Sequence, residues 1–208
     1  MDKRECDFSP LKEQLIIELE NISSEVTIGI KKLEIDNFCL LSKISSIKEQ
    51  FEKAEAMAAS FYLNCYLSPF TDKYIDISTA IQNLSIQKHG ALIVIERKNQ
   101  LDSLIRPGTP IDAKLTHSLL ESIFYPGNPL HDGAVLVRKS HIFSAANVLP
   151  LSNIVVGEKK LGTRHRAALG LSEISDALVL VVSEETGRVS FSVDGGLHPI
   201  ITTSSMLV

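Results

Sequence analysis

Gly90-Ala91-Leu92-Ile93-Val94-Ile95 is an unbroken apolar run of strand length, without the alternation that marks a strand with one wet face. It reads as a strand buried on both sides, which requires helices packed above and below it. Upstream, Ile77–Gln87 reads as a short helix, and downstream residues 97–110 read as loop, with Pro107-Gly108 and Pro110 as turn signals. Leu115, Leu119, Leu120 and Ile123 give Ala113–Phe124 helical spacing, after which Pro126-Gly127-Asn128-Pro129 forces a loop. Ala134–Val137 and Ile142–Ala146 predict a hairpin around a short connection containing His141. A loop from Pro150 to Leu161 leads into a helix over Thr163–Ser175. Ala177–Val182 and Arg188–Val193 add two strands, joined by Ser183-Glu184-Glu185-Thr186-Gly187. Strands interleaved with helices predict an α/β domain with a mixed central sheet surrounded by helices.

The chain ahead of this domain has a different character. Ser9-Pro10 is a helix start, with Ser as cap and Pro at the first helical position. Leu11, Leu15, Leu19 and Ile22 follow on one face, and Ile44, Ile47, Phe51, Ala54, Ala58 and Phe61 form a second, heptad-like seam. Pro69 closes the region. The expected organisation is an N-terminal α-helical hairpin over residues 1–70 and the α/β domain over 71–208.

Bulk properties narrow the function. With 208 residues, 44% hydrophobic and 22% charged, the chain fits a soluble globular protein. Its net charge of -4 argues against nucleic acid as a partner, so any anion must be held by a local cluster. Cys6, Cys39 and Cys65 are scattered, without a CxxC pair, which predicts no disulfide framework and a reducing compartment. No stretch resembles a signal peptide or spans a bilayer, so the expectation is a cytoplasmic protein without membrane contact.

Three polar stretches between the apolar ones could carry chemistry. In Gly162-Thr163-Arg164-His165-Arg166-Ala167-Ala168, Thr163 is the expected N-cap, which puts Arg164, His165 and Arg166 in the first helical turn. Cations there oppose the helix dipole by roughly 0.3–1 kcal/mol each, so the pattern points to an anion held by backbone N–H groups and cations, with a solvated basic turn as the competing reading. Successive helical residues diverge by about 100°, so one of the three side chains must turn elsewhere. In Leu130-His131-Asp132-Gly133-Ala134, an Asp-Gly pair is often just a turn; the functional reading puts Asp132 where a strand begins, able to bind Mg²⁺ or Mn²⁺ or to take a proton from a hydroxyl. His131 is a candidate addition to that metal site, and Gly133 lets a ligand approach the backbone. Ser183-Glu184-Glu185 offers carboxylates for metal or water contacts and a hydroxyl for phosphate; a plain solvated turn is the competing reading.

Together with Gly90-Ala91-Leu92-Ile93 and Leu149-Pro150-Leu151-Ser152, these stretches, in this order, resemble the diadenylate cyclase family with its DGA and RHR signatures. The resemblance covers about residues 75–195. It implies a nucleotidyltransferase that condenses two ATP molecules into cyclic di-AMP with release of two pyrophosphates. It also implies a divalent cofactor, Mn²⁺ or Mg²⁺, and a homo-oligomer whose active unit is a face-to-face dimer of catalytic domains, with a hexamer as one assembly. On the matching positions it makes Asp132 the catalytic and metal-binding residue, with His131 as a second metal ligand. Gly133, Ala134, Leu149, Thr163, Arg164, His165, Arg166, Ser183 and Glu185 would contact ATP. Relatives often carry Tyr where this chain has Val148, so adenine contact here is expected to be apolar packing. A cyclase preceded by two helices resembles the sporulation-associated class, in which the helical pair is thought to restrain activity and organise oligomers. The rival readings are a non-catalytic ATP- or cyclic-dinucleotide-binding regulatory module, and a nucleic-acid binder using Lys159, Lys160, Arg164 and Arg166.

Overall fold

The computed structural model describes residues 9–35, 40–153 and 161–200. The chain divides into two compact units, Met1–Tyr62 and Leu63–Val208. In the first, helix α1 (Ser9–Ile35) is followed by helix α2 (Leu41–Leu67), whose last residues belong to the second unit. Glu18 accepts from Lys53 Nζ at 2.5 Å and Glu25 pairs with Lys43, so the two helices run antiparallel. Ile22, Ala54 and Met57 are buried in this hairpin, whereas Ile44 and Phe51 of the expected seam are exposed. The seam's last residue, Phe61, has its side chain outside the described set.

The second unit contains helix α3 (Tyr74–Gln87), strands β1 (Ala91–Ile95) and β2 (Thr109–Lys114), and helix α4 (His117–Ile123). Strands β3 (Ala134–Arg138) and β4 (His141–Asn147), helix α5 (Thr163–Ile174), and strands β5 (Leu178–Val182), β6 (Val189–Val193) and β7 (Gly196–Ile200) complete it. The sheet is mixed, in the order β2-β4-β3-β1-β5-β6-β7, and β1–β3 is its parallel pair. Every residue of β1 and β5 is buried, as an unbroken apolar run requires. Alternation along the strands gives each face its own core. Leu92, Val94, Leu136, Val179 and Val181 pack with Ala167, Ala168 and Leu171 of α5. Ile93, Ile95, Val135 and Leu180 therefore project to the opposite face; α3 lies against β5 and packs on α4.

The structure departs from the sequence reading at several points. Thr109–Lys114 is a strand, where loop and then helix were expected, and α4 starts only at His117, because Thr116 Oγ1 accepts from Leu119 N as an N-cap. β7 was not anticipated. β2 and β7 are the two edges of the sheet and each contains a proline, Pro110 and Pro199, which an edge strand tolerates because its outer N–H needs no partner. Cys65 is disulfide-bonded, against the expectation of unbridged thiols. The loop positions Lys159 and Lys160 lie outside the described residues.

Candidate active site

The topology delivers three separated stretches to one end of the sheet. β1 and β3 run parallel with Ile93 level with Val135, so Gly90 and His131-Asp132-Gly133 lie where these strands start. β5 runs the other way, with Val182 opposite Ala91, so Ser183-Glu184-Glu185 emerges at the same end. The start of α5 joins them: Arg164 Nη1 donates to Glu184 Oε2 at 2.8 Å. Arg164 beside it holds the Glu184 carboxyl below its ordinary range, and His131 adds a smaller pull in the same direction.

Each element is fixed by an identifiable device. Gly133 has φ +119°, and a Cβ there would lie 2.8 Å from Asn147 O and from Ala146 C, so only glycine fits. The strand behind it is held by Asn147, which is 1% exposed. Asn147 Nδ2 donates to Ala134 O at 2.7 Å, and its Oδ1 accepts from Ser144 Oγ at 2.9 Å and Gly108 N at 3.0 Å. The turn before Asp132 is organised by Asn128, whose Oδ1 accepts from Leu130 N and whose carbonyl accepts from His131 N and, at 2.5 Å, from His131 Nδ1. In the 183–187 turn, Ser183 O accepts from Gly187 N and Ser183 Oγ from Thr186 N, while Ser85 Oγ of α3 donates to Gly187 O.

Asp132 is exposed and makes no hydrogen bond or ion pair among the described residues. The N-cap of α5 is Gly162, in extended conformation and without a side-chain cap, so Thr163 is the first helical residue and not the cap expected from sequence. The N–H groups of Thr163, Arg164 and His165 accordingly have no acceptor among the described residues, a ready anion cradle. Burial pushes the His165 imidazole below its ordinary value, with Glu185 pulling upward, so at neutral pH this ring is uncharged. Arg166 is the side chain that turns aside: its Nε donates to Ser152 O at 3.2 Å and its carbonyl accepts from Ser152 N at 2.9 Å.

Leu149 and Ala134 belong to the core beneath α5, at 6% and 0% exposure, and Val148 beside Leu149 is the exposed residue. Sequence reasoning overlooked Asn147, although a single Asn between Ala145-Ala146 and Val148-Leu149 is the signal of a buried polar clamp. It also passed over Gly90 as part of the site. A Cβ on Gly90 would lie 2.6 Å from Arg164 Nη1 and 3.0 Å from Glu184 Cβ.

The donor types here suit a divalent ion. Because a carbonyl can only accept, His131 Nδ1 carries a proton in its bond to Asn128 O, so Nε2 is the nitrogen a neutral ring would offer to a metal. Asp132 adds an uncommitted carboxylate. No cluster of three or more His, Cys, Asp or Glu exists among the described residues. The remaining ligands would come from substrate phosphates and water, the usual arrangement for Mg²⁺ in phosphoryl-transfer sites.

Residues 78–197 match the family described as DisA bacterial checkpoint controller nucleotide-binding, and residues 3–70 match the one described as diadenylate cyclase CdaS, N-terminal. The chain is 52% identical to diadenylate cyclase CdaS of Bacillus thuringiensis, covering 91% of this chain and 96% of that one. It is 49% identical to cyclic di-AMP synthase CdaS of Bacillus subtilis, covering 92% of each. A crystal structure from Bacillus cereus, described as a hypothetical membrane spanning protein, aligns with TM-score 0.75 and 52% identity over 92% of this chain and 94% of that one. DacA from Staphylococcus aureus aligns with TM-score 0.59 and 44% identity over 62% of this chain and 87% of that one. Among the described residues, no helix is long and apolar enough to cross a membrane.

Proposed function

The chain belongs to the diadenylate cyclase family, and on that premise we propose that it joins two ATP molecules into cyclic di-AMP and releases two pyrophosphates. In each half-reaction a ribose 3'-oxygen forms a bond to the α-phosphorus of the other ATP. The α–β phosphoanhydride bond breaks, pyrophosphate leaves with the electron pair, and the hydroxyl proton passes to Asp132 or through it to water. The observation that carries this reading is the juxtaposition, at one end of the sheet, of the uncommitted Asp132 with the uncapped start of α5 and its Arg164.

The remaining roles follow from where each group lies. The N–H groups of Thr163, Arg164 and His165, the Thr163 hydroxyl and the Arg164 guanidinium hold phosphate, while neutral His165 donates or accepts without adding charge. Ser183 Oγ is used by Thr186 N only as an acceptor, so its proton remains for a phosphate oxygen. Glu185 lies near enough to His165 to influence its charge and would contact water or metal. Gly133 permits close approach of the ribose, Ala134 and Leu149 back that wall from the core, and Val148 presents apolar surface to the adenine. Mn²⁺ or Mg²⁺, held by Asp132 and His131, would neutralise phosphate charge. Arg166 braces the segment around Ser152 and serves ATP indirectly.

Among the described residues one chain has one such carboxylate and one such cradle, whereas the product contains two equivalent new bonds. Two copies meeting face to face across a two-fold axis supply both. The N-terminal hairpin exposes Ile16, Ile17, Ile28, Ile30 and Leu33, apolar surface that supports a role in higher assembly, including a hexamer, and in restraining the cyclase.

The test is to incubate the protein with ATP and Mn²⁺ or Mg²⁺ and resolve the products. Cyclic di-AMP and pyrophosphate are expected at a ratio of one to two, with none after chelation. Asp132→Asn should lower the rate about a thousandfold while ATP still binds. ATP binding without pyrophosphate release by the wild type would instead identify a regulatory module.

A further inference from the structure

We infer that Glu184 and Gly90 are positioning elements for Arg164, an internal carboxylate and a bare backbone floor that together aim the guanidinium at the incoming phosphate. This rests on the reading that Arg164 receives a phosphate of ATP. An arginine presents five N–H donors in a rigid plane, and its value for phosphate depends on how that plane is oriented. Here one donor is spent: Nη1 bonds Glu184 Oε2 at 2.8 Å. Nε and Nη2 have no acceptor among the described residues, so the remaining edge of the fork is available.

Gly90 makes the second contact. A Cβ at position 90 would stand 2.6 Å from Arg164 Nη1 and 2.7 Å from its Cζ, closer than real atoms approach, so the guanidinium lies directly over the Gly90 backbone. The same Cβ would stand 3.0 Å from Glu184 Cβ. Gly90 has no positive φ that would demand glycine; a Cβ there would instead have to displace the Arg164 guanidinium, the movable end of that side chain. Glu184 itself is exposed, with 67% of its side-chain surface accessible, and Arg164 is three-quarters covered. The pair therefore gives little stability and is better understood as holding a geometry. A carboxylate beside the start of a helix that binds anions is costly unless it does something, because it repels the phosphate. Orienting Arg164 is what this one does.

A double-mutant cycle tests the inference on the full chain. Glu184→Ala should lower the rate at subsaturating ATP about tenfold when Arg164 is present, and by less than about twofold in an Arg164→Ala background. Gly90→Ala should behave alike: costly beside Arg164, and much milder once Arg164→Ala has vacated the space and only the 3.0 Å approach to Glu184 Cβ remains. Melting temperatures of all variants check that a lost rate is not lost fold. A Glu184→Ala protein that binds ATP more tightly would show that Glu184 competes with phosphate, and an equal penalty with and without Arg164 would show that it acts elsewhere; either overturns the inference. If the wild type makes cyclic di-AMP and Arg164→Ala is as active as it, the phosphate reading of Arg164 fails first. If Arg164→Ala is impaired but Glu184→Ala and Gly90→Ala are not, only the positioning role fails.

Discussion

Where β1 and β3 finish, Arg138 Nη2 donates to Glu96 Oε2 at 3.0 Å and to Asp102 Oδ2 at 2.7 Å, and the guanidinium lies 3.9 Å from the Phe143 ring centroid. Its Nε lies 2.9 Å from Glu96 Oε1 as an ion pair without hydrogen-bond alignment. At the same end the Asp176 carboxylate accepts from Lys98 N and Asn99 N, and Asn99 Oδ1 accepts from Asp176 N. Where β1 and β3 start, Arg164 has a single partner, Asp132 has none among the described residues, and the first N–H groups of α5 are uncapped. The same residue types stand at both ends. What separates them is satisfaction: the charges at the far end are largely paired within the chain, Arg138 Nε apart, whereas those at the proposed site keep donors and acceptors to spare among the described residues.

This contrast can be broken by experiment. After Asp132→Asn, the largest effect is expected for Gly133→Ala, which combines φ +119° with backbone contacts at 2.8 Å. It should cost about 1–3 kcal/mol of stability and, by displacing Asp132, about a hundredfold in cyclic di-AMP synthesis. Chemical denaturation and a product assay on the same preparation measure both; full activity would uncouple the glycine from the site. Arg138→Ala comes next. Losing the paired end should lower stability by about 1–2 kcal/mol while leaving the ATP dependence of the rate unchanged. A shifted ATP dependence would show that the two ends are coupled.

The smallest effect concerns His165. Unfolded, it takes up a proton as pH falls through about 6.5, whereas in the fold burial keeps it neutral to lower pH. The unfolded state then binds more protons, so stability falls with falling pH below about 6.5 until the folded ring titrates as well. In His165→Gln the melting temperature should decline less between about pH 7 and pH 5 than in the wild type. An identical decline would place the acid sensitivity in other groups.

The elements read correctly from sequence are those whose side chains settle their own environment. β1 and β5 announce burial on both faces, α5 has its polar start and apolar body, and the β3–β4 hairpin has two apolar arms. The elements misread are those whose state depends on neighbours. Pro110 looks like a turn signal, and the stretch around Pro199 carries no strand pattern of its own, until β4 and β6 are placed beside them; only then do β2 and β7 become edge strands. The start of α4 was missed because Leu115 continues the apolar period into a segment that the Thr116 cap excludes.

The candidate site divides in the same way. Asp132-Gly133, the basic start of α5 and the Ser183-Glu184-Glu185 turn each read alone as plausible turns or a basic helix start; their order along the chain, matching the family's motifs, made the site legible. By itself the sequence determined an α/β domain behind a helical hairpin, an acidic turn, a basic helix start, and their family resemblance. The tertiary structure decided that these stretches share one end of the sheet, that Arg166 faces Ser152 and not the site, that Asn147 clamps Ala134, and that Gly90 lies beneath Arg164. The reason is physical: composition and periodicity govern which surfaces must be buried. Which guanidinium meets which carboxylate depends on strand order and register, set by the packing of residues far apart in the chain.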